Sequence, residues 1–575
     1  MDRLSDAEYE AISLAEYVTM PGIIDILTKN DNRFEKYASG RAYVKFGEPV
    51  ADNFIIAYLP EDRLSEAIKA LRESFLHIIP RIFGPCGRAS LIASGILQVQ
   101  QRPYLDLKGR GVLLAFIDTG IDYTKPAFIY EDGTSKIAAL WDMTAQYVPN
   151  DQIYIGREYD RDEISTALAS ENPLDVLPHT DTAGHGTFLA SVAAGREDND
   201  YLGAAPDAEI IMVKLRKSRP FYLERYNVPE EQENAFSSTD ILLAIQYIIR
   251  KAGEMSRPVS ICFSLGTTFG SHDGFDIIDN YITGLARRPG ISISVAAGNE
   301  ANTKRHTRGI VEKVGASTPV EVKVGENVPS ASMYFWNKPH DSMFVSVKSP
   351  TGEIVIRRSN LQDESFTQKL VLEKSTVHIN YFFPVSGSGS DLAEIIIDAP
   401  TPGIWTVNVH GTLILEGGFQ AWMPMTGFIS DEVEFITPSP NYTIVMPGTA
   451  LGVITCGAYD QKNNSLYPAS SWGPTTFPIL SPELTAPGVN VQGVYPAGYG
   501  TMSGTSVSAA ITAGAAALLL QWGIVDENYP QLNNIRIRSF LVQGCDRDTN
   551  VTYPNDQWGF GRLNLMQTFN ILRGT

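Results

Sequence analysis

The 575-residue chain is too long for one ordinary domain and divides into about two to four units. Hydrophobic residues make up 43% and charged residues 19%, which fits a globular protein with a large core and excludes a disordered chain. The formal charge is −19 and the pI about 4.9. Such an acidic surface disfavours nucleic acid and anionic membranes as partners.

The first residues, MDRLSDAEYEAISLAEY, lack a basic stretch followed by an apolar one, so no secretory signal peptide is expected. The expected location is the cytoplasm or a spore. Residues 1–95 read as a small α+β region. NFIIAYLP (53–60) predicts a strand, and DRLSEAIKALRESF (62–75) predicts a helix with Leu64, Ile68, Leu71 and Phe75 on one face. LHIIPRIF (76–83) predicts a returning strand.

The texture changes at GRGVLLAFIDTG (109–120), a continuous apolar run of the kind a buried parallel strand needs. Similar runs follow at 208–215, 259–266 and 291–299, with a helical pattern at 239–253. The middle of the chain is therefore α/β with a parallel sheet. From about 309 to 440 the segments are short, alternating and broken by Gly, Pro and Asn, which predicts an all-β sandwich or jelly-roll insert. The α/β texture resumes at 450–460. The expected units are thus 1–95, 96–308, 309–440 and 441–575.

The most apolar run, Ala509 to Val525, is rich in Ala and Gly and reads as a buried core helix rather than a membrane span. Cys86, Cys262, Cys456 and Cys545 form no C-x-x-C pair and read as reduced, mostly buried thiols.

Three segments carry chemistry. AFIDTGID ends a core strand with Asp118. DTAGHGTFLASVAAG (181–195) opens a helix with His185. GTSVSAAITAGAAALLLQWG (504–523) opens another with Ser506. Serine is a weak nucleophile until a base takes its proton, and the base needs a third group to fix its tautomer. Ser506, His185 and Asp118 supply these roles in that order. AAGNE (296–300) ends a further strand with Asn299, whose amide is a candidate oxyanion donor. SLGTTFG (264–270) is expected to line a substrate cleft through Ser264, Leu265 and Gly266, with Gly266 leaving room for a peptide backbone. For a lone Asp, His or Ser the structural reading is the default; agreement among separated contexts tips the balance. Asp122, His179 and Asp181 are assigned no catalytic role. Asp122 is expected to position the strand-end loop, and His179 to be a solvated loop residue.

The motifs D-T-G-I-D, H-G-T, A-A-G-N and G-T-S, in this order, resemble those of the subtilase family of serine proteases. The resemblance implies a parallel-sheet catalytic domain, a triad of Asp118, His185 and Ser506, and Asn299 as oxyanion donor. It also implies that residues 1–95 are a ferredoxin-like propeptide, removed autocatalytically around Arg88 to Gln98. The missing signal peptide, the intact triad and the β insert together resemble the Csp germination proteases of clostridial spores. Those proteases are associated with activating a cortex-lytic prohydrolase by limited proteolysis.

The resemblance implies a protein or peptide substrate, a propeptide that stays bound, and no required cofactor. Subtilases often bind calcium, but the acidic stretches 158–163 and 196–200 lack EF-hand spacing and read as solvated loops. No His/Cys cluster suits zinc. A departure lies after Ser508: the family often has proline at the end of G-T-S-x-[AS]-x-P, and here Ala509 and Ala510 follow Ser508. The competing readings are a pseudoprotease-like binding scaffold and a general intracellular degradative subtilisin.

Overall fold

Apolar residues spaced for strand and helix build a small antiparallel sheet near the N-terminus. The strand Phe54–Pro60 lies between Ile23–Lys29 and Lys45–Phe46. Helices Asn32–Ala38 and Leu64–Leu71 place Phe34, Tyr37, Ala67 and Leu71 against Ile26, Ile55, Ala57 and Leu59. Asp31 caps the first helix by accepting from the backbone N–H of Arg33 and Phe34. The computed structural model describes residues 5–17, 20, 22–46, 54–71, 89–146, 153, 155–196, 201–356, 364–385, 388–477 and 479–574. The end of the expected helix (72–75) and the expected strand 76–83 lie outside the described residues.

The chain divides into two compact units, Met1–Pro85 and Cys86–Thr575. The second is organised by one mixed sheet. Its strands are β1 (Leu113–Asp118), β2 (Ile137–Asp142), β3 (Arg157–Asp160), β4 (Glu209–Lys214), β5 (Val259–Phe263), β6 (Ile291–Ala296), β7 (Ile454–Asp460), β8 (Ser465–Leu466) and β9 (Leu484–Pro487). Their order is β8-β7-β6-β5-β1-β4-β2-β3, with β9 beside β7. β1, β2, β4, β5, β6, β7 and β9 pair in parallel, and β3 and β8 are antiparallel additions.

Every residue of β1 is buried. Leu114 and Phe116 join one apolar cluster, while Leu113, Ala115 and Ile117 join another on the opposite face. This is why the strand reads as a continuous apolar run rather than an alternating one. Helices α1 (His185–Ala194) and α4 (Thr505–Leu520) fill the first face. Helices α2 (Ser238–Glu254) and α3 (Ile277–Leu285) fill the second. All residues of α4 are buried except Ser506. The apolar run is therefore a central core helix, as expected. The described cysteines, Cys262, Cys456 and Cys545, are free and buried.

Between β6 and β7 lie two antiparallel sheets. One orders His306–Ile310, Gly418–Trp422, Ser330–Asn337, Asp391–Asp398, Thr376–Phe382 and Glu364–Lys369. The other orders Ile354–Ile356, Ser342–Lys348, Gly403–Leu413, Ser317–Val324 and Val433–Phe435. Their inner faces share one core, with Met333, Phe335, Ile379 and Ile395 from the first and Val322, Val345, Trp405 and Val407 from the second.

This β region holds the rest of the second unit at several points. Arg225 donates two bonds to Glu394, at 3.0 and 2.9 Å, and Asn380 donates to the same carboxylate at 2.7 Å. Thr268 Oγ1 donates to the Met423 carbonyl at 2.9 Å. Phe428 packs on Leu223, Val228 and Ala235.

α4 owes its close packing to small side chains. A Cβ added at Gly514 would lie 2.4 Å from the Ala204 Cβ and 3.3 Å from the Ala193 carbonyl. Gly514→Ala gains about 1 kcal/mol of helix propensity and loses about 1–3 kcal/mol to overpacking. We expect the loss to win. Calorimetry should give a lower unfolding temperature for the variant; an equal or higher one would refute tight packing at this contact.

Candidate active site

Asp118 is the last residue of β1 and has no exposed surface. Its Oδ1 accepts from His185 Nδ1 and from the Thr119 N–H, each at 2.8 Å. Its Oδ2 accepts from Ser264 Oγ at 2.5 Å. An isolated buried carboxylate is costly, and these donors offset the cost. Burial alone would raise the Asp118 pKa, but the His185 charge and the hydrogen bonds from His185, Ser264 and Thr119 hold it below its ordinary value.

His185 opens α1. Its approach to Asp118 needs two glycines. At Gly186 a Cβ would lie 2.2 Å from the Gly120 carbonyl and 3.1 Å from the Asp118 Cβ. Gly184 precedes the helix at φ 75°, a left-handed conformation that glycine adopts freely. Asp181 anchors the same turn. Its carboxylate accepts from the N–H groups of Gly184 and Thr187, both at 2.9 Å, and from the hydroxyls of Thr187 and Thr119, at 2.6 and 2.8 Å. The sequence reading gave Asp181 no catalytic role and missed this structural one. An Asp just before a helix is the signal that could have found it.

Ser506 is the second residue of α4, after Gly504. Its hydroxyl donates to the Ser264 carbonyl at 3.1 Å. Among the described residues no hydrogen bond joins it to His185, so the structure pairs His185 with Asp118 and brings Ser506 to Ser264. Asn299 follows β6, and its Oδ1 accepts from the Thr505 N–H at 3.1 Å. Because a backbone N–H can only donate, this contact fixes the amide's orientation. The amide lies beside Gly504, with Nδ2 3.4 Å and Oδ1 3.6 Å from where a Cβ would stand.

One expectation changes. His179 is not solvated: it is 1% exposed, its Nδ1 meets Asp142 Oδ2 at 2.6 Å, and its Nε2 accepts from the Ile121 N–H at 3.3 Å. Burial alone would raise the Asp142 pKa, but the hydrogen bond from His179 brings it to about 2. Ser264 donates to Asp118 through its hydroxyl and accepts from Ser506 through its carbonyl. Leu265 packs against the apolar cluster under α2 and α3. Asp122 accepts from the Thr124 N–H at 3.1 Å and hydroxyl at 2.6 Å, ordering the strand-end loop.

The acidic residues at 158–163 are occupied. Glu158 pairs with Lys251 at 2.5 Å, while Asp160 caps the helix Arg161–Leu168 and Glu163 completes that capping box. In the stretch 196–200, residues 197–200 lie outside the described residues. No group of three or more metal-ligating side chains occurs among the described residues.

With this geometry in hand, the chain can be placed among known proteins. The pattern of the subtilase family, peptidase S8, matches residues 109–327 and 436–561. The fold is subtilisin-like, and the chain belongs to the subtilase family. It is similar to the CspB protease of Clostridium perfringens, at 30% identity and a TM-score of 0.74, over 84% of this chain and 99% of that one. It is also similar to the Arabidopsis thaliana subtilisin-like protease SBT1.6, at 24% identity over 80% of this chain and 64% of that protein. The Saccharomyces cerevisiae subtilase-type proteinase RRT12 is 32% identical over 25% of this chain and 32% of its own length. The chain spans less than two thirds of the length of these two curated relatives.

The Asp118–His185 contact has a measurable consequence. Burial alone would lower the His185 pKa, but the charge and hydrogen bond of Asp118 raise it above its ordinary value. A raised value keeps the imidazolium to higher pH, so the neutral base exists only above it. Asp118→Asn should therefore lower the His185 pKa. Histidine NMR titration of both proteins tests this; an unshifted His185 would mean that the carboxylate is not the cause.

Proposed function

We propose that the chain is a serine endopeptidase whose catalytic residues are Asp118, His185, Ser506 and Asn299. The observation that carries this reading is the buried Asp118 carboxylate bound to His185 Nδ1 at 2.8 Å, with Ser506 the one residue of α4 left unburied. An imidazole held at Nδ1 by a carboxylate has its Nε2 free to act as base. Rotation of the Ser506 hydroxyl from the Ser264 carbonyl toward His185 hands over its proton as Oγ attacks a peptide carbonyl. Catalytic hydrogen bonds are often loose before substrate binds. The new C–O bond pushes the carbonyl electrons onto oxygen, where Asn299 Nδ2 and the N-terminus of α4 stabilise the charge. His185 then protonates the leaving amine, and water hydrolyses the acyl-enzyme on Ser506 by the same relay.

The substrate is a protein or peptide bound along Ser264, Leu265 and Gly266. No cofactor enters these steps. The N-terminal unit acts as a ferredoxin-like propeptide, cut by the chain's own site and retained. The sequence reading puts the cut around Arg88 to Gln98, and we propose a cut on the N-terminal side of that stretch. Residues 89–93 and 96–100 are helical, Leu91, Ile96 and Val99 are buried in the main core, and Gln100 donates to the carbonyls of Gly203 and Ala204. These helices argue against a cut within 89–100, so the proposed cut lies before Ala89.

The finer role proposed is selective activation of a protein substrate, such as a spore cortex-lytic prohydrolase, in the cytoplasm or spore. The likeness to the C. perfringens CspB protease supports it. So does the β region of about 309–440, proposed as a jelly-roll clamp on the loops beside the site. Such a clamp favours limited cleavage over general degradation. No nucleic-acid or membrane partner is proposed.

Intact mass and N-terminal sequencing of wild type beside Ser506→Ala give the first test. The wild type should yield a new N-terminus at or before Ala89, and the variant should remain whole. Two uncut proteins would favour the binding-scaffold reading instead. Asn299→Ala should cut turnover by about 10²–10³; this range is the one known for subtilisin's own oxyanion amide, not a value derived from this geometry. Progress curves on a peptide substrate check it, and unchanged turnover would remove Asn299 from the mechanism.

A further inference from the structure

From the residues around the Asp118–His185 contact we infer that His179, held by Asp142, is a positioning residue for the proposed reaction: its ring keeps the loop after Asp118 in place against the start of α1. The inference rests on the serine-endopeptidase reading above.

A second His–Asp pair stands on the same edge of the sheet as the first. Asp118 ends β1 and Asp142 ends β2, and in register both lie opposite Lys214 at the end of β4. His185 meets Asp118 at 2.8 Å and His179 meets Asp142 at 2.6 Å, each through Nδ1. The two rings differ at the other nitrogen. His179 Nε2 faces the Ile121 N–H at 3.3 Å. A backbone N–H can only donate, so Nε2 accepts and Nδ1 carries the proton given to Asp142. Both nitrogens of this buried ring are thus engaged, and neither is left to act as a base.

What the ring holds is the loop 119–122. Besides the bond to Ile121, it lies against Gly120, where a Cβ would stand 3.3 Å from both Cε1 and Nε2. From the opposite direction α1 grips the same loop. A Cβ at Gly186 would lie 2.2 Å from the Gly120 carbonyl. The Gly186 N–H donates to the Thr119 hydroxyl at 3.1 Å, and the Asp122 N–H donates to the Thr187 hydroxyl at 2.9 Å. Thr119 follows Asp118 and Gly186 follows His185, so displacement of the loop displaces the neighbours of both partners in the Asp118–His185 bond.

The pair is itself anchored. Asp142 Oδ1 accepts from the Thr144 N–H at 2.8 Å and from its hydroxyl at 2.6 Å. The His179 N–H donates to the Leu177 carbonyl at 2.9 Å, and Lys214 Nζ donates to the Thr180 carbonyl at 2.6 Å. An apolar side chain of similar size would fill the space without the cost of burying a charged partner, but it would remove the acceptor that the Ile121 N–H now has.

The experiment uses the full chain as wild type, His179→Gln, His179→Asn and His179→Leu. Glutamine places an amide oxygen where Nε2 stands and keeps an acceptor for Ile121. Asparagine places an amide nitrogen where Nδ1 stands and keeps only the donor to Asp142. Leucine removes both. kcat and KM are measured on a peptide substrate, per active serine counted with a fluorophosphonate label, beside an NMR titration of His185 and the unfolding temperature. His179→Asn and His179→Leu should lose about 10–100-fold in kcat, because a displacement of about 1 Å suffices for about 10²-fold. KM should change by less than about twofold. The His185 midpoint should fall in both, since the Asp118 contact is what raises it. His179→Gln should recover most of the kcat and the wild-type midpoint.

Variants with the wild-type kcat per labelled serine and an unshifted His185 would overturn the inference, however far their unfolding temperature dropped. So would a His179→Gln loss as large as that of His179→Asn, because the bond to Ile121 would then not be the route. The Gln and Asn pair decides the matter even if His179→Leu does not fold. A wild type that neither labels nor cuts is a different result: it removes the endopeptidase reading, and the inference falls with it.

Discussion

A carboxylate cut off from water must be held by donors, and Asp118 is held by three from three parts of the chain. The imidazole of His185 comes from α1, the hydroxyl of Ser264 from the segment after β5, and the N–H of Thr119 from its own strand end. Losing one such donor leaves buried charge exposed to a low dielectric, which costs more than a surface contact would. The carboxylate therefore fixes where α1 begins and where the segment after β5 runs. That segment in turn carries the carbonyl that holds the Ser506 hydroxyl. One buried charge thus ties together the candidate base, the candidate nucleophile and one wall of the cleft.

Small residues make the arrangement possible. Gly186 lets α1 reach β1, Gly504 takes a φ of 151° just before α4, and Gly514 lets α4 lie close to the turn around Ala204. Asp181 then locks the start of α1 with four hydrogen bonds. The β region adds a second set of restraints from outside. The Glu300 carboxylate, next in sequence to Asn299, accepts from the Thr426 hydroxyl at 3.2 Å and lies 3.3 Å from the Thr426 N–H. Thr268, two residues past Gly266, is bound to the Met423 carbonyl. Both restraints sit within a few residues of cleft walls, so the β region bears on the site without contributing a reacting group.

What was legible in the sequence follows from range. Asp118, His185, Asn299 and Ser506 stand at strand ends and helix starts, and local pattern alone places such junctions. The strands β1, β4, β5 and β6 were readable because a strand buried on both faces is apolar throughout. The burial of His179 was not readable, because its partner Asp142 is 37 positions away on another strand. The bond from Ser264 to Asp118 spans 146 positions and was equally hidden. The helices at 89–100 were missed for another reason: their small and polar residues resemble a processing site, and only packing against the main core shows that Leu91, Ile96 and Val99 are buried.

Gly266 shows how far a motif can be trusted. Glycine in a cleft-lining strand invites the reading that a ligand backbone needs the space. Here the space is taken by a valine from a segment that joins the sheet only after the whole β region has been threaded. The sequence near Gly266 holds no trace of Val445, since their contact is set by the two backbone bonds between Thr267 and Met446. Catalytic groups are fixed by short motifs because each must sit at a particular strand or helix end. The shape of the cleft is fixed by what later segments place against those motifs. The family motifs can therefore be read from four short segments, whereas the packing around Gly266 depends on segments far along the chain.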